Sequence, residues 1–312
     1  MKKTGIKTII IILAAFLVVW SIGCNKAQTS TSTESQPTAE PISSTETSAQ
    51  PTNTAAPQTT SPETAPTGLN IPWDDRSIFR AGLISAEQDA LDGLEGASVY
   101  HIDFQIADDF LSLEGWEEVH YTNQETEPLE EIYFQLFPNA AGGSVAVSEV
   151  TVDGQETETA YEFQDTALRV ALPATLKPGA SVDIRLEFIV DVPQEMAGNY
   201  GLFGYFDEVL VLDEFYPVIP VYDDEGWNVQ APPPNADTSY FDTSFYLTRV
   251  TAPANLIIAA SGIEVSRESE GGQQTVTFAA GPVRDFYMAA SEHYSVVSET
   301  VGETVVNSYA LQ

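Results

Sequence analysis

The residues of this 312-residue sequence that could do chemistry are few and widely spaced. The three histidines, His101, His120 and His293, lie in strand-like sequence, and none belongs to a His-Glu-x-x-His motif. That motif on a helix is the pattern that binds catalytic zinc and activates water. We therefore expect three surface or edge imidazoles rather than a zinc centre.

Nucleophilic catalysis also lacks its usual residues. Cys24 is the only cysteine, and it lies in the N-terminal segment. A serine-hydrolase elbow needs glycine on both sides of the serine, whereas Ser261 follows two alanines. The sequence therefore predicts no catalytic residue, no bound cofactor and no metal site within this chain.

Acids and aromatics are concentrated at residues 215–228, FYPVIPVYDDEGWN. Pro217 and Pro220 interrupt ladder hydrogen bonding, so we expect an irregular loop or edge with its aromatic and acidic side chains at the surface. Three interpretations remain open: an acidic solvated turn, a contact with another domain or partner, and a ligand site for sugar or calcium without EF-hand spacing. The candidate interface residues are Phe215, Tyr216, Tyr222, Asp223, Asp224 and Trp227.

The charge balance excludes one class of partner. The sequence has 12 Lys and Arg against 46 Asp and Glu, a formal net charge of −34. Nucleic acid is not an expected partner, because binding phosphates requires clustered basic residues. The acidity favours solubility or a cationic ligand, and net charge does not choose between them.

The first 24 residues have the organisation of an export signal. Three lysines precede the apolar run 9–22, which is short for a membrane span. The run ends at Gly23-Cys24, which resembles a lipobox, although Ser21 stands where leucine is usual. We predict a lipoprotein acylated at Cys24 and attached to the outer side of a cell membrane. An uncleaved anchor and ordinary cleavage are the alternatives, and both also export the chain.

The rest of the chain divides by composition. Residues 25–70 are rich in Thr, Ser and Pro and carry one basic residue, so we predict a disordered linker. Residues 71–96 form a short lead-in, in which Ser85 and Gln88 make a capping-box pattern that predicts a helix at 86–94. Residues 97–312 are predicted to be one domain.

Period-two alternation predicts that this domain is mainly β, an antiparallel β-sandwich or saddle-like sheet. Asp153-Gly154 and Gly271-Gly272 separate alternating runs and predict hairpin turns. Lys177-Pro178-Gly179 predicts a further tight turn. The alternating apolar positions are Tyr100, Ile102, Phe104, Ile106, Ile132, Phe134, Leu136, Val182, Ile184, Leu186, Phe188 and Val190.

Six segments in order resemble the N-terminal β domain of M1-family zinc aminopeptidases, the gluzincin group. The most specific are FYPVIPVYDDEGWN at 215–228, VTAPANLIIAASG at 250–262 and VRDFYMAAS at 283–291. The other three are YHIDFQI at 100–106, HYTNQETEPLEEIYFQLFPN at 120–139 and LPATLKPGASVDIRLEFIVDVP at 172–193. Together they span about 210 residues of the sequence.

The resemblance implies a parent enzyme that removes residues from peptide N-termini with one zinc ion bound in a following domain. In that family the β domain caps the active site and helps to bind the substrate amine, but no residue here matches the acidic group unambiguously. The resemblance thus implies a fragment that is inactive alone, with a catalytic domain as its partner in cis and peptides as the parent's substrates. The alternatives are a cell-surface module that binds glycan or protein, and a structural spacer.

Overall fold

The computed structural model of the protein describes three stretches of the chain, residues 69–196, 201–230 and 240–312. All of them belong to the unit Thr59–Gln312, and the unit Met1–Gln58 lies outside the described residues. The predicted signal segment 1–24, with Cys24, and the linker up to residue 68 also lie outside them. Within the described stretches no helix is long and apolar enough to cross a membrane.

Strands make up most of the described residues, which confirms the predicted mainly β fold class. The helical elements are the 3₁₀ helices η1 (Ser77–Gly82) and η2 (Ser85–Gly93) and the short α-helix α1 (Phe137–Ala140). The strands are β1 Val99–Ile106, β2 Ser112–Thr122, β3 Leu129–Gln135, β4 Ser144–Val152, β5 Gln155–Glu156, β6 Thr159–Glu162, β7 Ala167–Leu176, β8 Ser181–Asp191, β9 Phe203–Phe206, β10 Val209–Leu212, β11 Tyr222–Asp223, β12 Gly226–Trp227, β13 Ser244–Pro253, β14 Ile257–Ala260, β15 Ile263–Glu270, β16 Gln273–Val283, β17 Met288–Ser291, β18 Tyr294–Val301 and β19 Thr304–Leu311.

The largest sheet has eight strands in the order β15-β16-β13-β1-β2-β8-β4-β5. Its neighbours pair antiparallel except β1 and β13, which are parallel and widely separated in sequence. Successive side chains of a strand point to opposite faces, so the alternation seen in the sequence gives the sheet an apolar inner face. On β1 this face carries Tyr100, Ile102 and Phe104, all buried.

Two smaller sheets share the core with this inner face. They are a three-stranded sheet in the order β3-β7-β6 and a four-stranded sheet in the order β14-β17-β10-β9. Ile132, Phe134 and Val170 from the first, and Leu210 and Met288 from the second, join one buried cluster with the inner face. The arrangement agrees with the predicted sandwich, because apolar faces of separate sheets are buried against one another.

The lead-in packs against the opposite, outer face of the eight-stranded sheet. Phe79 and Leu91 form a second buried cluster with Phe245 and Leu247 of β13. The predicted helix is present at nearly the predicted position, but it is the 3₁₀ helix η2 rather than an α-helix, and no side chain caps its N-terminus. Packing against the sheet, rather than a capping box, therefore stabilises this 3₁₀ helix.

The predicted turns are confirmed. Asp153-Gly154 joins β4 to β5 and Gly271-Gly272 joins β15 to β16. Gly272 has φ +88°, a conformation that residues with a Cβ rarely adopt. Between β7 and β8 the Ala180 backbone N–H donates to the Lys177 carbonyl at 2.9 Å, which closes the third turn.

Candidate functional site

The proline-containing segment after β10 runs through the core rather than over the surface. Phe215 and Tyr216 are fully buried, so the prediction that their rings lie at the surface is wrong. The segment is nevertheless paired: the Gln135 N–H donates to the Val218 carbonyl at 2.7 Å, and the Val218 N–H returns a bond at 3.2 Å. Pro217 cannot donate to a ladder, but this single bridge needs no donor from it.

The second half of the same segment is a small hairpin, β11–β12, at a partly exposed corner. The Asp223 carboxylate accepts hydrogen bonds from the Glu225 N–H and the Asn228 side chain, each at 2.9 Å, and these bonds lower the pKa of Asp223. Asp224 is exposed. The geometry favours the acidic solvated turn among the three interpretations, because the Asp223 oxygens already hold the turn together.

Trp227 completes this corner. Its ring centroid lies 5.1 Å from that of Tyr222, 6.2 Å from that of Tyr121 and 6.4 Å from that of Tyr133. Both Tyr222 and Trp227 remain partly exposed. An interface at this corner stays a prediction for Tyr222, Asp223, Asp224 and Trp227.

Three buried tyrosines hold the core part of the segment in place. Tyr100 and Tyr246 are stacked with centroids 4.7 Å apart, and the ring of Tyr216 meets that of Tyr246 edge-on at 5.9 Å. Burial raises the pKa of all three hydroxyls. They stay protonated at neutral pH, so each can donate as well as accept a hydrogen bond.

The hydroxyls of these tyrosines bind the main chain of two distant loops. The Tyr100 hydroxyl accepts from the Ile219 N–H at 3.2 Å, and the Tyr216 hydroxyl accepts from the Phe286 N–H at 2.9 Å. The Tyr246 hydroxyl donates to the Arg284 carbonyl at 2.9 Å. Segments 215–219 and 284–286 are therefore fixed to one another through the tyrosines.

This convergence gathers three carboxyl groups. Asp213 and Glu214 directly follow β10, and Asp285 lies on the loop before β17. One carboxyl oxygen from each of the three lies within 4.8 Å of the others. Asp213 and Glu214 are buried and Asp285 is partly exposed. The cluster was not predicted, because about 70 residues separate its two parts and neither part alone has a binding motif.

The cluster can hold a cation, but its donors do not match zinc. Carboxylate oxygens suit hard cations and ammonium groups, whereas protein zinc sites use mainly histidine and cysteine. Among the described residues, no histidine joins the three carboxyl groups. The fit is to a cationic group rather than to a zinc ion.

The histidines lie elsewhere, and one differs from its prediction. His101, expected at a surface or edge, is only 4% exposed because Trp73 of the lead-in stacks on it with centroids 4.2 Å apart. His120 Nδ1 lies 2.6 Å from Asp183 Oδ1. His293 is exposed, 3.8 Å from Glu208. Nothing in the sequence near His101 shows that a segment 28 residues upstream covers it.

Comparisons with known proteins give similarity in structure alone. No protein-family model matches the chain, and no curated protein matches it. An M1 zinc metallopeptidase from Deinococcus radiodurans is similar over 68% of this chain, with 19% identity and a TM-score of 0.49. A mutant of an M1 zinc metallopeptidase from that organism, bound to a Tyr-Ser-Ala substrate, is 18% identical over 68% of this chain, with a TM-score of 0.47.

A two-domain M1 zinc metallopeptidase mutant bound to L-tryptophan is 19% identical over 69% of this chain, with a TM-score of 0.45. The chain spans about half the length of these structures, 46% of the first two and 48% of the third. These proteins are what the mainly β domain is similar to.

Proposed function

We propose that residues 97–312 are the non-catalytic β domain of an M1-type zinc aminopeptidase. In this proposal the domain packs against a zinc-binding catalytic domain and closes the substrate site from one side. The Cys24 lipid anchor and the linker 25–70 hold it outside the cell membrane. The proposal rests first on the sequence resemblance and then on the geometry of the acidic cluster.

One observation carries the proposal: two of the most specific segments of the resemblance meet at a single place. Segment 215–228 and segment 283–291 are joined by the bond between the Tyr216 hydroxyl and the Phe286 N–H. Asp213 and Glu214 precede Tyr216 by three and two residues, Asp285 directly precedes Phe286, and one carboxyl oxygen of each acid lies within 4.8 Å of the others. Asp285 lies in the second segment and Asp213 and Glu214 immediately precede the first, so residues distant in sequence form one acidic cluster.

The chemistry of this site suits a peptide N-terminus. A protonated α-amino group is a compact cation with three N–H donors, and carboxylates in a partly buried place bind it by charge-assisted hydrogen bonds. Tyr-Ser-Ala, L-tryptophan and L-arginine, the molecules bound in similar solved structures, all carry a free amino group. We assign amine binding to the cluster, with no chemical step on this chain.

An exposed apolar hairpin supports the packing role. Strands β18 and β19 form a two-stranded sheet of their own, and five of their valines are between 42% and 72% exposed. The Glu303 carboxylate at the tip accepts a hydrogen bond from the Ser85 N–H at 2.7 Å, which ties the hairpin to the lead-in. Val297, Val301 and Val306 share one face of the hairpin, and grouped exposed apolar side chains suit an interface. We therefore propose 294–311 as a docking surface for the catalytic domain.

The test expresses the chain together with the coding sequence that follows codon 312. We expect that sequence to encode a His-Glu-x-x-His motif and the product to hydrolyse aminoacyl amides. Glu214→Gln and Asp285→Asn should each raise KM for substrates with a free amine at least tenfold. Asp224→Asn, in the solvated turn, is the matched control and should leave KM unchanged.

Two results would overturn the proposal. One is a following sequence without any zinc-binding motif in any reading frame. The other is an active peptidase in which the Glu214 and Asp285 variants behave like the Asp224 control.

A further inference from the structure

The outer face of the eight-stranded sheet is only partly covered by the lead-in. Beyond the lead-in, outward side chains of β16, β13, β1, β2 and β8 line an open groove of about 620 Å³. A second hollow of about 590 Å³ lies between the sheet and residues Leu69, Asn70, Ile71, Pro72 and Trp73. Trp116 and Arg249 line both, so the two hollows meet at these side chains.

We propose that this groove binds a neutral oligosaccharide. A sugar presents hydroxyls that donate and accept hydrogen bonds, together with an apolar C–H face. The groove offers acceptors in Glu114 and Glu187, donors in Arg249 and Gln105, and an indole in Trp116. The mixture of donors, acceptors and one aromatic surface matches that chemistry.

Two of these groups are held in position before any ligand arrives. The Arg249 guanidinium pairs with the Asp103 carboxylate on the neighbouring strand, and this bond raises the pKa of Arg249. The guanidinium carbon of Arg185 lies 4.1 Å from the centroid of the Trp116 ring. A cation on one ring face fixes the indole, which reduces the entropy lost when a ligand binds.

Charge selects among ligand classes. The lining of the groove carries three carboxylates, Asp103, Glu114 and Glu187, against the single guanidinium of Arg249. This excess repels polyanions such as nucleic acid or sulfated sugars. A cationic peptide would use only the acceptors and would place its charge beside Arg249. A neutral ligand can use both kinds of group without repulsion between net charges.

The adjoining hollow contains a polar atom that needs a partner. His101 lines it, is 4% exposed, and has an Nε2 with no hydrogen-bond partner among the described residues. Burial lowers the pKa of His101 to about 4, so the imidazole is neutral at neutral pH. A hydroxyl that enters beside Trp73 would give Nε2 a neutral hydrogen-bond partner. An ion in the same place would have to lose its hydration, which costs more free energy than desolvating a hydroxyl.

The groove is long enough for a chain of several sugars. Thr275 of β16 and Glu187 of β8 both line it, with β13, β1 and β2 between their strands. Four inter-strand steps span ~19 Å at the usual strand spacing. A single monosaccharide would contact only part of that length, so we expect affinity to rise with chain length.

The test titrates the full chain with neutral hexasaccharides of glucose, mannose and N-acetylglucosamine, followed by calorimetry and tryptophan fluorescence. We expect at least one to bind more tightly than its disaccharide. Trp116→Ala should weaken binding at least tenfold. Because Trp116 also packs against the lead-in, the exposed pair Glu187→Gln and Gln105→Ala provides a second test that leaves the packing intact.

Glu156→Gln, an exposed carboxylate on β5 outside the groove, is the matched control and should bind as the unmodified chain does. The inference fails if no neutral hexasaccharide binds at millimolar concentration, or if the groove variants bind as tightly as the control. It also fails if an oligolysine peptide binds the groove while every sugar is silent. None of these outcomes bears on the peptidase proposal, since the acidic cluster lies outside the groove.

Discussion

The hydroxyl of Tyr216 accepts a hydrogen bond from the backbone N–H of Phe286 at 2.9 Å, across 70 residues of sequence. Both residues are fully buried. This bond joins the loop after β10 to the loop before β17, which the antiparallel pairing of Leu212 with Met288 already brings together. The same two loops carry Asp213, Glu214 and Asp285, and one carboxyl oxygen of each lies within 4.8 Å of the others. The acidic cluster is thus organised from the core rather than from the surface.

Replacing Tyr216 by Phe is expected to destabilise the domain by about 1–3 kcal/mol, because a buried N–H loses its acceptor. Urea denaturation measures the change. Tyr240→Phe, at a tyrosine that is 52% exposed, is the control and should change the free energy of unfolding by less than about 0.5 kcal/mol. Equal stability of the Tyr216 variant and the control would show that the bond contributes nothing.

His101 is expected to make the domain sensitive to acid. Burial under Trp73 lowers its pKa to about 4 from an ordinary value of 6.5, although the Asp183 carboxylate opposes the shift. Because the pKa is lowered in the folded state, the stability associated with neutral His101 is fully present above pH 6.5 and is lost as the pH falls toward 4. The loss over that window is about 3 kcal/mol.

Urea denaturation at pH 7.0, 5.5 and 4.5 checks this expectation. His101→Gln should flatten the acid limb of the stability curve, whereas His293→Gln, at the exposed histidine, should leave it steep. If the free energy of unfolding falls equally steeply with acid in all three proteins, His101 is not the cause of the acid sensitivity.

Glu117 is expected to have the opposite effect at higher pH. It points to the inner face between Ile102 and Leu186, is fully buried, and has no hydrogen-bond partner for either carboxyl oxygen among the described residues. Burial raises its pKa well above 4.5. Its protonated form is the stable one, so stability is present below pH 4.5 and falls as the pH rises toward the raised pKa.

Glu117→Gln should therefore be more stable than the unmodified chain at pH 8 and lose the alkaline decline. The matched control is Glu118→Gln, the next residue on the outer face, which should retain the decline. Thermal unfolding of the three proteins at pH 5, 6.5 and 8 provides the measurement. If the loss of stability at high pH persists in the Glu117 variant, another titratable group causes that loss.

The chain alone is expected to bind no stoichiometric zinc and to hydrolyse no aminoacyl amide, because its sequence lacks His-Glu-x-x-His. Elemental analysis and a fluorogenic aminoacyl assay measure both properties. One tightly bound zinc per chain with chelator-sensitive hydrolysis would contradict this prediction, because it would require a zinc site other than a His-Glu-x-x-His motif or the acidic cluster.

The features that could be predicted from the sequence are those set by residues near one another in the chain. The alternation at Tyr100, Ile102 and Phe104 predicts their burial, and Gly271-Gly272 predicts a hairpin, because strand period and turn conformation are set by near neighbours. The nearby Pro217 and Pro220 suggest a loop, which is why the sequence predicts Phe215 at the surface. A local pattern does not show that other sheets enclose that loop.

The candidate site depends almost entirely on long-range contacts. Glu214 and Asp285 have no motif in common. Their loops meet because β10 pairs antiparallel with β17, next to the tyrosine cluster. The burial of His101 likewise requires the lead-in to cross the sheet. Of the three acids only Asp285 lies within a segment of the family resemblance, and the resemblance assigns no role to it.

The most direct test of the central claim is hydrogen exchange on two proteins, the 312-residue chain and the chain extended by the coding sequence that follows codon 312. Residues 294–311 and the loop at 213–216 are expected to exchange more slowly in the extended protein, because the added domain would cover the valines of the hairpin and close over the acidic cluster. Unchanged exchange in both segments, with the added sequence folded, would contradict the claim that this β domain is one half of a peptidase.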